Sequence, residues 1–169
     1  DAPAWLRGGT TMVVRRIAMD LDTWDEVDRS TRDNALGRRL DTGAPVTGTD
    51  EFDEPDLEAR NELGFPRIDL AAHIRRTRTD DPTQRMFRRV YNYELPPTEG
   101  RLSDAGLVFI TFQADVDHQF TALQARMDEM DLLNTWITAI GSAVFAVPGG
   151  VREEGELLLG PLLDRLPTA

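Results

Sequence analysis

The sequence predicts an α+β fold of the ferredoxin-like, split βαβ kind, with a four-stranded antiparallel sheet carrying helices on one face. Three observations predict it. Four runs rich in β-branched or aromatic residues read as strands, at residues 10–21, 86–93, 105–113 and 142–147. Stretches with helical spacing follow the first and the third of these runs. The second and third are joined directly, so the order is β-α-(insertion)-β-β-α-β. Such a sheet buries one face under two helices and leaves the other free for a ligand or a second domain. All 169 residues are read as one domain.

Each element has its own signal. Thr10, Thr11, Val13, Val14 and Ile17 make the first strand, entered through Gly8-Gly9. Asp22 or Thr23 caps a helix that runs to Gly37–Arg39, with Asp25 and Glu26 suiting its first turn and Trp24, Val27 and Leu36 facing the core. Residues 41–66 are polar and rich in Gly, Pro, Asp and Glu, a length of loop that is often functional. Ile68 to Ile74 is a short apolar segment of one or two helical turns, and residues 75–85 read as a charged loop. Phe120, Leu123 and Met127 place a helix over 120–130, with a second helical piece expected over 131–140. Residues 157–166 read as a short amphipathic helix.

Composition narrows the function. The net charge is -11, with 30 acidic against 19 basic residues, which argues against nucleic acid or an anionic membrane surface as the main partner. No apolar run has the length of a membrane span. The absence of cysteine excludes disulfides, iron–sulfur clusters, thiolate-ligated haem and cysteine nucleophiles. No signal peptide is visible, and a first residue Asp1 suggests a processed product or a fragment.

Two histidines occur. His118 lies in a polar helix-start context and reads as a surface or capping residue. His73 projects from an apolar segment, between Ala72 and Ile74. Taken alone it suits either a buried histidine satisfied by hydrogen bonds or a metal or haem ligand. With no second histidine nearby and no HExxH spacing, zinc fits poorly, whereas one imidazole is the ordinary requirement of a five-coordinate haem iron. Arg75, Arg76, Arg78, Arg85, Arg88 and Arg89 crowd a short span of an acidic chain. They suit either a solvated loop or an anion site for carboxylates such as haem propionates. Arg88 and Arg89 are adjacent in a strand and so point to opposite faces. Asp128, Glu129 and Asp131 cluster near a helix break and read as a solvated acidic face.

Several blocks, in order, resemble the DyP-type (dye-decolorizing) peroxidases, and most closely the bacterial deferrochelatase/peroxidase branch. They are Trp5-Leu6-Arg7-Gly8-Gly9-Thr10, Thr23-Trp24-Asp25, Thr42-Gly43-Ala44-Pro45, His73-Ile74-Arg75, Phe87-Arg88-Arg89-Val90-Tyr91-Asn92-Tyr93, Asp104-Ala105-Gly106-Leu107-Val108-Phe109 and Ile140-Gly141-Ser142-Ala143-Val144-Phe145. The resemblance spans nearly the whole chain and matches the C-terminal half of the family. It implies one haem b per chain, with His73 as proximal iron ligand and Asp131 as the acidic partner that orients the ring. It implies Arg88 as the distal arginine, stabilising the hydroxide that leaves as the peroxide O–O bond cleaves. Leu107 and Phe109 match apolar residues of the distal pocket, and Arg75 and Arg78 fall in the segment that flanks the haem edge. It sets the haem and a partner domain on the sheet face opposite the helices.

The implied activity is a peroxidase that uses hydrogen peroxide to oxidise dyes, phenols or related donors. Large donors would be reached through Trp5, Trp24, Tyr91, Tyr93 or Trp136 where these do not serve core packing. The implied partner is the N-terminal half of the same peroxidase, as a separate or cleaved chain, and a homo-oligomer is open. Family resemblance also points to a secreted or periplasmic location through Tat-type export, with the cytoplasm left open. One departure matters: the family's Gly-x-x-Asp-Gly motif, whose aspartate is the distal acid/base, does not occur in this sequence. Because proton transfer by a placed side chain contributes roughly 10²–10⁴-fold, an alternative reading is a haem-binding or haem-transfer half-protein without efficient turnover.

Overall fold

The computed structural model describes residues 3–158 and 160–163. Its centre is strand β1 (Thr10–Met19), in which Thr10, Thr11, Val13, Val14 and Ile17 are β-branched and Val13 is fully buried. β1 is followed by two short helices, α1 (Leu21–Glu26) and α2 (Arg29–Leu36). The single helix expected over 22–39 is therefore broken at Val27-Asp28. Asp28 is an N-cap, its carboxylate accepting from the Thr31 amide (3.0 Å) and hydroxyl (2.6 Å), and a capped start competes well with continuing the first helix. Gly37, at φ 73°, ends α2 in the left-handed conformation that glycine adopts without strain.

The polar stretch 41–66 is built from turns. Asp53 accepts from the Thr49 and Asp50 amides, and isolated bridges join Arg38 to Pro45 and Arg60 to Pro66. It delivers the chain to α3 (His73–Arg76), one helical turn. Then come β2 (Phe87–Leu95), β3 (Asp104–Gln113), a π-helical turn over Val116–Thr121 that leads into α4 (Ala122–Met130), a 3₁₀ turn over Leu132–Thr135, and β4 (Ile137–Val147). The helical piece expected over 131–140 is thus a 3₁₀ turn plus the first residues of a longer strand. Asp131 caps the turn through Leu133 N (3.0 Å), and Ile137, Thr138 and Ile140 favour pleated backbone over helix. The last helix, α5 (Gly160–Leu163), is one turn; Leu159 and residues 164–169 of the amphipathic tail lie outside the described residues.

The sheet order is β2-β3-β1-β4, and every neighbouring pair is antiparallel. This is the ferredoxin-like arrangement, and the α+β class holds. The register sets rows across the sheet. Val90, Phe109, Arg15 and Ser142 form one row, and Arg88, Thr111, Val13 and Val144 the next. Asn92, Leu107, Ile17 and Ala139 follow on the other side, past a bulge between Arg16 and Ile17.

The core is small for so large a sheet. Trp24, Ala35, Ile68, Ala72 and Leu123 are buried where the helices meet one another, and Trp24 meets Trp136 edge to face at 4.9 Å. On the other side of the sheet, Phe87, Tyr91 and Phe145 stand about half exposed. Apolar surface left open on both faces of one sheet marks two places where something else should pack.

Candidate functional site

A cavity of about 1150 Å³ lies between the sheet and the segment α3–α4. Ligand pockets commonly run to roughly 300–1,000 Å³, so it has room for a large molecule. The cavity is on the helical side of the sheet, whereas the expected ligand face was the one away from the helices. The physical reason is that the helices pack on one another rather than flush on the strands, α3 against α2 and α4, and α2 against the 3₁₀ turn. A slot remains between them and the sheet face. Ile17, Leu107 and Phe109 form its apolar floor, with Leu123, Met127 and Leu133 opposite.

His73 stands on the helical wall at the first position of α3. Its Nδ1 lies 2.7 Å from Oδ2 of Asp131, whose side chain is 1% exposed. A carboxylate only accepts, so Nδ1 carries the proton and donates it. Nε2 is then the lone-pair nitrogen, and it makes no hydrogen bond among the described residues. The neighbourhood holds this ring firmly. Leu132 N donates to Ala71 O (2.9 Å), tying the turn after Asp131 to the segment before His73. Thr77 Oγ1 donates to His73 O (2.9 Å), and Arg76 reaches from the same turn to Arg126 O (2.9 Å) and Glu129 (2.8 Å) on α4. Asp131, expected from sequence spacing alone to belong to a solvated acidic face, is buried, whereas Asp128 and Glu129 are exposed.

Arg88 lines the cavity from β2, and Arg89 turns to the other side, stacking over Phe87 at 5.3 Å. Strand parity decides between them. Leu107 and Phe109 line the cavity from β3. Arg75 and Arg78 do not. Arg75 donates to three carbonyls, of Leu57 (2.6 Å), Ile68 (2.9 Å) and Asp69 (3.2 Å), and so staples the polar stretch to the His73 segment. Arg78 pairs with Glu54 at 2.6 Å on the surface. The structure brings His73, Asp131, Arg88, Leu107 and Phe109 together and leaves these two arginines out. His118 is at the surface beside Thr83 (2.7 Å).

Arg15 and Gln124 were not singled out in the sequence as site residues, and Asp128 was read as solvated. All three line the cavity, with Gln124 hydrogen-bonded to Arg15 and donating to Asp128 (2.7 Å). The available signal was the alternation of β1: Arg15 shares a face with Val13, Ile17 and Met19, so a charge occupies an inward position of that apolar face.

Comparison with known proteins gives the family and the fold. The family described as Dyp-type peroxidase, C-terminal, matches residues 1–152. A dye-decolorizing peroxidase of Thermobifida fusca is 41% identical over 165 residues, covering 96% of this chain and 38% of that protein. A deferrochelatase of Escherichia coli is 30% identical over 162 residues, covering 95% and 38%. The crystal structure of a DyP-type peroxidase from Cellulomonas bogoriensis superposes with a TM-score of 0.92 at 57% identity, over 97% of this chain and 45% of that one. The chain thus spans less than half the length of the relatives it matches.

Proposed function

We propose that this chain, which belongs to the Dyp-type peroxidase family as its C-terminal half, holds one haem b in the cavity with His73 as iron ligand and acts within a peroxidase. The reaction is oxidation of dyes, phenols or related donors by hydrogen peroxide. One observation carries the reading: a single imidazole faces a large apolar slot with its Nδ1 proton committed to a buried carboxylate. That donor set fits a haem. Among the described residues no group of three or more His, Asp or Glu is placed to hold a bare metal ion, and one neutral imidazole is what a haem iron takes from the protein.

When bound, haem supplies the redox-active iron. The protein's residues do the rest. Asp131 fixes the tautomer, keeps Nε2 unprotonated and strengthens it as a donor. Arg88, on the sheet wall, stabilises negative charge developing on the oxygen that leaves peroxide. Leu107 and Phe109 keep that wall apolar and exclude water, which strengthens the Arg88 charge effect. The partner is an N-terminal half carrying the Gly-x-x-Asp-Gly acid/base, which this sequence lacks. The exposed Phe87, Tyr91 and Phe145 on the free sheet face offer apolar surface for it.

A second reading keeps the haem and drops the turnover: the chain binds or transfers haem and is a poor peroxidase without the distal aspartate. Absorbance spectra with added haem and peroxide assays, each with and without the N-terminal half, separate the two. Turnover only with that half supports the first reading of the assembled protein, and haem binding without turnover in both states supports the second. His73→Ala should abolish the histidine-ligated Soret spectrum, and Arg88→Leu should keep the spectrum but lose about 10²–10³-fold in peroxide reaction. An unchanged spectrum in His73→Ala defeats both readings.

A further inference from the structure

The cavity contains a second cation with no charged partner. Arg15 projects from the central strand, and among the described residues no carboxylate lies within ion-pair distance of it. Its Nη1 donates to the neutral Gln124 Oε1, and its guanidinium lies 5.7 Å from the centre of the Phe120 ring. Its Nε is buried with no acceptor at all. The nearest acid along this chain of contacts, Asp128, is held off by Gln124, which spends its amide on that carboxylate.

The protein has 30 acidic residues to choose from, and Arg29, Arg32, Arg76, Arg78 and Arg101 each have a carboxylate. Leaving a guanidinium without an acceptor costs free energy. Arg15 lines the cavity, so a group filling the cavity is placed to supply one. Arg15 and Arg88 are two strands and two residues apart, on the order of 12 Å between Cα atoms at ordinary sheet spacings. One therefore cannot do the work of the other. The arginines first expected to take the carboxylates of the cofactor, Arg75 and Arg78, are committed to carbonyls and to Glu54.

We propose that Arg15 is the anchor for a carboxylate on the edge of the cavity ligand, a haem propionate on the reading above, on which this inference rests. Only Nη1 of the guanidinium is committed, to Gln124, so the charged group keeps a donor for a planar carboxylate. Gln124 holds the other side of the group in place, and Phe120 covers it. This fixes the rotation of the macrocycle in its slot, a task that the single bond to His73 does not perform.

The test is a Soret titration of the full chain with iron protoporphyrin IX and with its dimethyl ester, in which the carboxylates are blocked. The wild type should prefer the free acid by about tenfold or more, as expected for a charge-assisted pair. Arg15→Met should lose about tenfold to a hundredfold in affinity for the free acid while its affinity for the ester stays unchanged. The histidine-ligated spectrum of the bound form should not move, and Arg15→Lys should fall between. Equal loss for both ligands would mean that Arg15 merely braces the sheet against α4, and no loss for either would mean that it is idle; both overturn the proposal. Should Arg15→Met fail to fold, the wild-type comparison decides, since absence of any preference for the free acid is equally fatal. A wild type that binds neither ligand instead brings down the haem reading itself, and this inference with it.

Discussion

Asp131→Asn is the sharpest perturbation of the site, because Asp131 has two jobs that one asparagine cannot do. Its Oδ2 accepts from His73 Nδ1 at 2.7 Å, and its Oδ1 accepts from Leu133 N at 3.0 Å. Asparagine has one acceptor oxygen and an amide that only donates. If the oxygen serves Leu133, the amide faces His73, which must then take the other tautomer with its proton on Nε2; the nitrogen meant for iron is blocked. If the oxygen serves His73, Leu133 N meets a donor and the 3₁₀ turn loses its cap. The side chain is 1% exposed, so water does not relieve either conflict. An unsatisfied buried group costs about 1–3 kcal/mol, and loss of a carboxylate behind a ligating histidine costs roughly 10–100-fold in metal affinity or activity. Haem affinity should therefore fall by roughly 10–100-fold, and the iron midpoint potential of the bound form should rise, since the ligand is no longer backed by a negative charge. Soret titration and spectroelectrochemistry read these two quantities. Wild-type affinity and potential in a folded Asp131→Asn protein would refute the argument that this carboxylate controls the histidine.

Two further predictions concern the scaffold. Arg75→Ala removes three donors to Leu57, Ile68 and Asp69 carbonyls and should lower unfolding free energy by about 2 kcal/mol in denaturant titration, with the stretch 41–66 becoming the first site of proteolysis; unchanged stability would show the staple to be dispensable. Acid should destabilise the protein as pH falls from about 4 to 2. Hydrogen bonds from the Thr31 hydroxyl and amide hold the Asp28 carboxyl at about 2, and hydrogen bonds likewise hold Asp22, Asp41, Asp53 and Asp81 below the ordinary carboxylate value. These depressed groups contribute stability that is present above the unfolded-state value and lost as pH drops through the folded one. Denaturant midpoints across that range should show Asp28→Asn flattening the fall; an identical slope in the variant would exclude Asp28 as a contributor.

The places where reading the sequence went wrong have a common cause. A helix over 22–39 is consistent with periodicity, and only the competition between continuing α1 and starting again at the Asp28 cap divides it. Residues 131–140 combine a capping aspartate with β-branched residues, and the pairing of β4 with β1 settles them as turn and strand. Arg75 and Arg78 sit close to His73 in sequence, yet their side chains leave in other directions and find carbonyls and Glu54. Adjacency in sequence sets which residues share an element, whereas where a long flexible side chain ends depends on which acceptors the fold brings near.

By itself the sequence determined the α+β class, the strand order along the chain, the choice of His73 as the histidine on an apolar segment, and the fact that only one of Arg88 and Arg89 can face any given side of the sheet. Those properties follow from local patterns: alternation, helical spacing, capping residues and composition. The tertiary structure decided the rest. It chose Arg88, buried Asp131 behind His73 across 58 positions of sequence, put the cavity on the helical side, and set Arg15 into its wall without a charged partner. Each depends on strand register and on the gap between helices and sheet. Register is fixed by pairing between segments far apart in the chain, so no local window contains it.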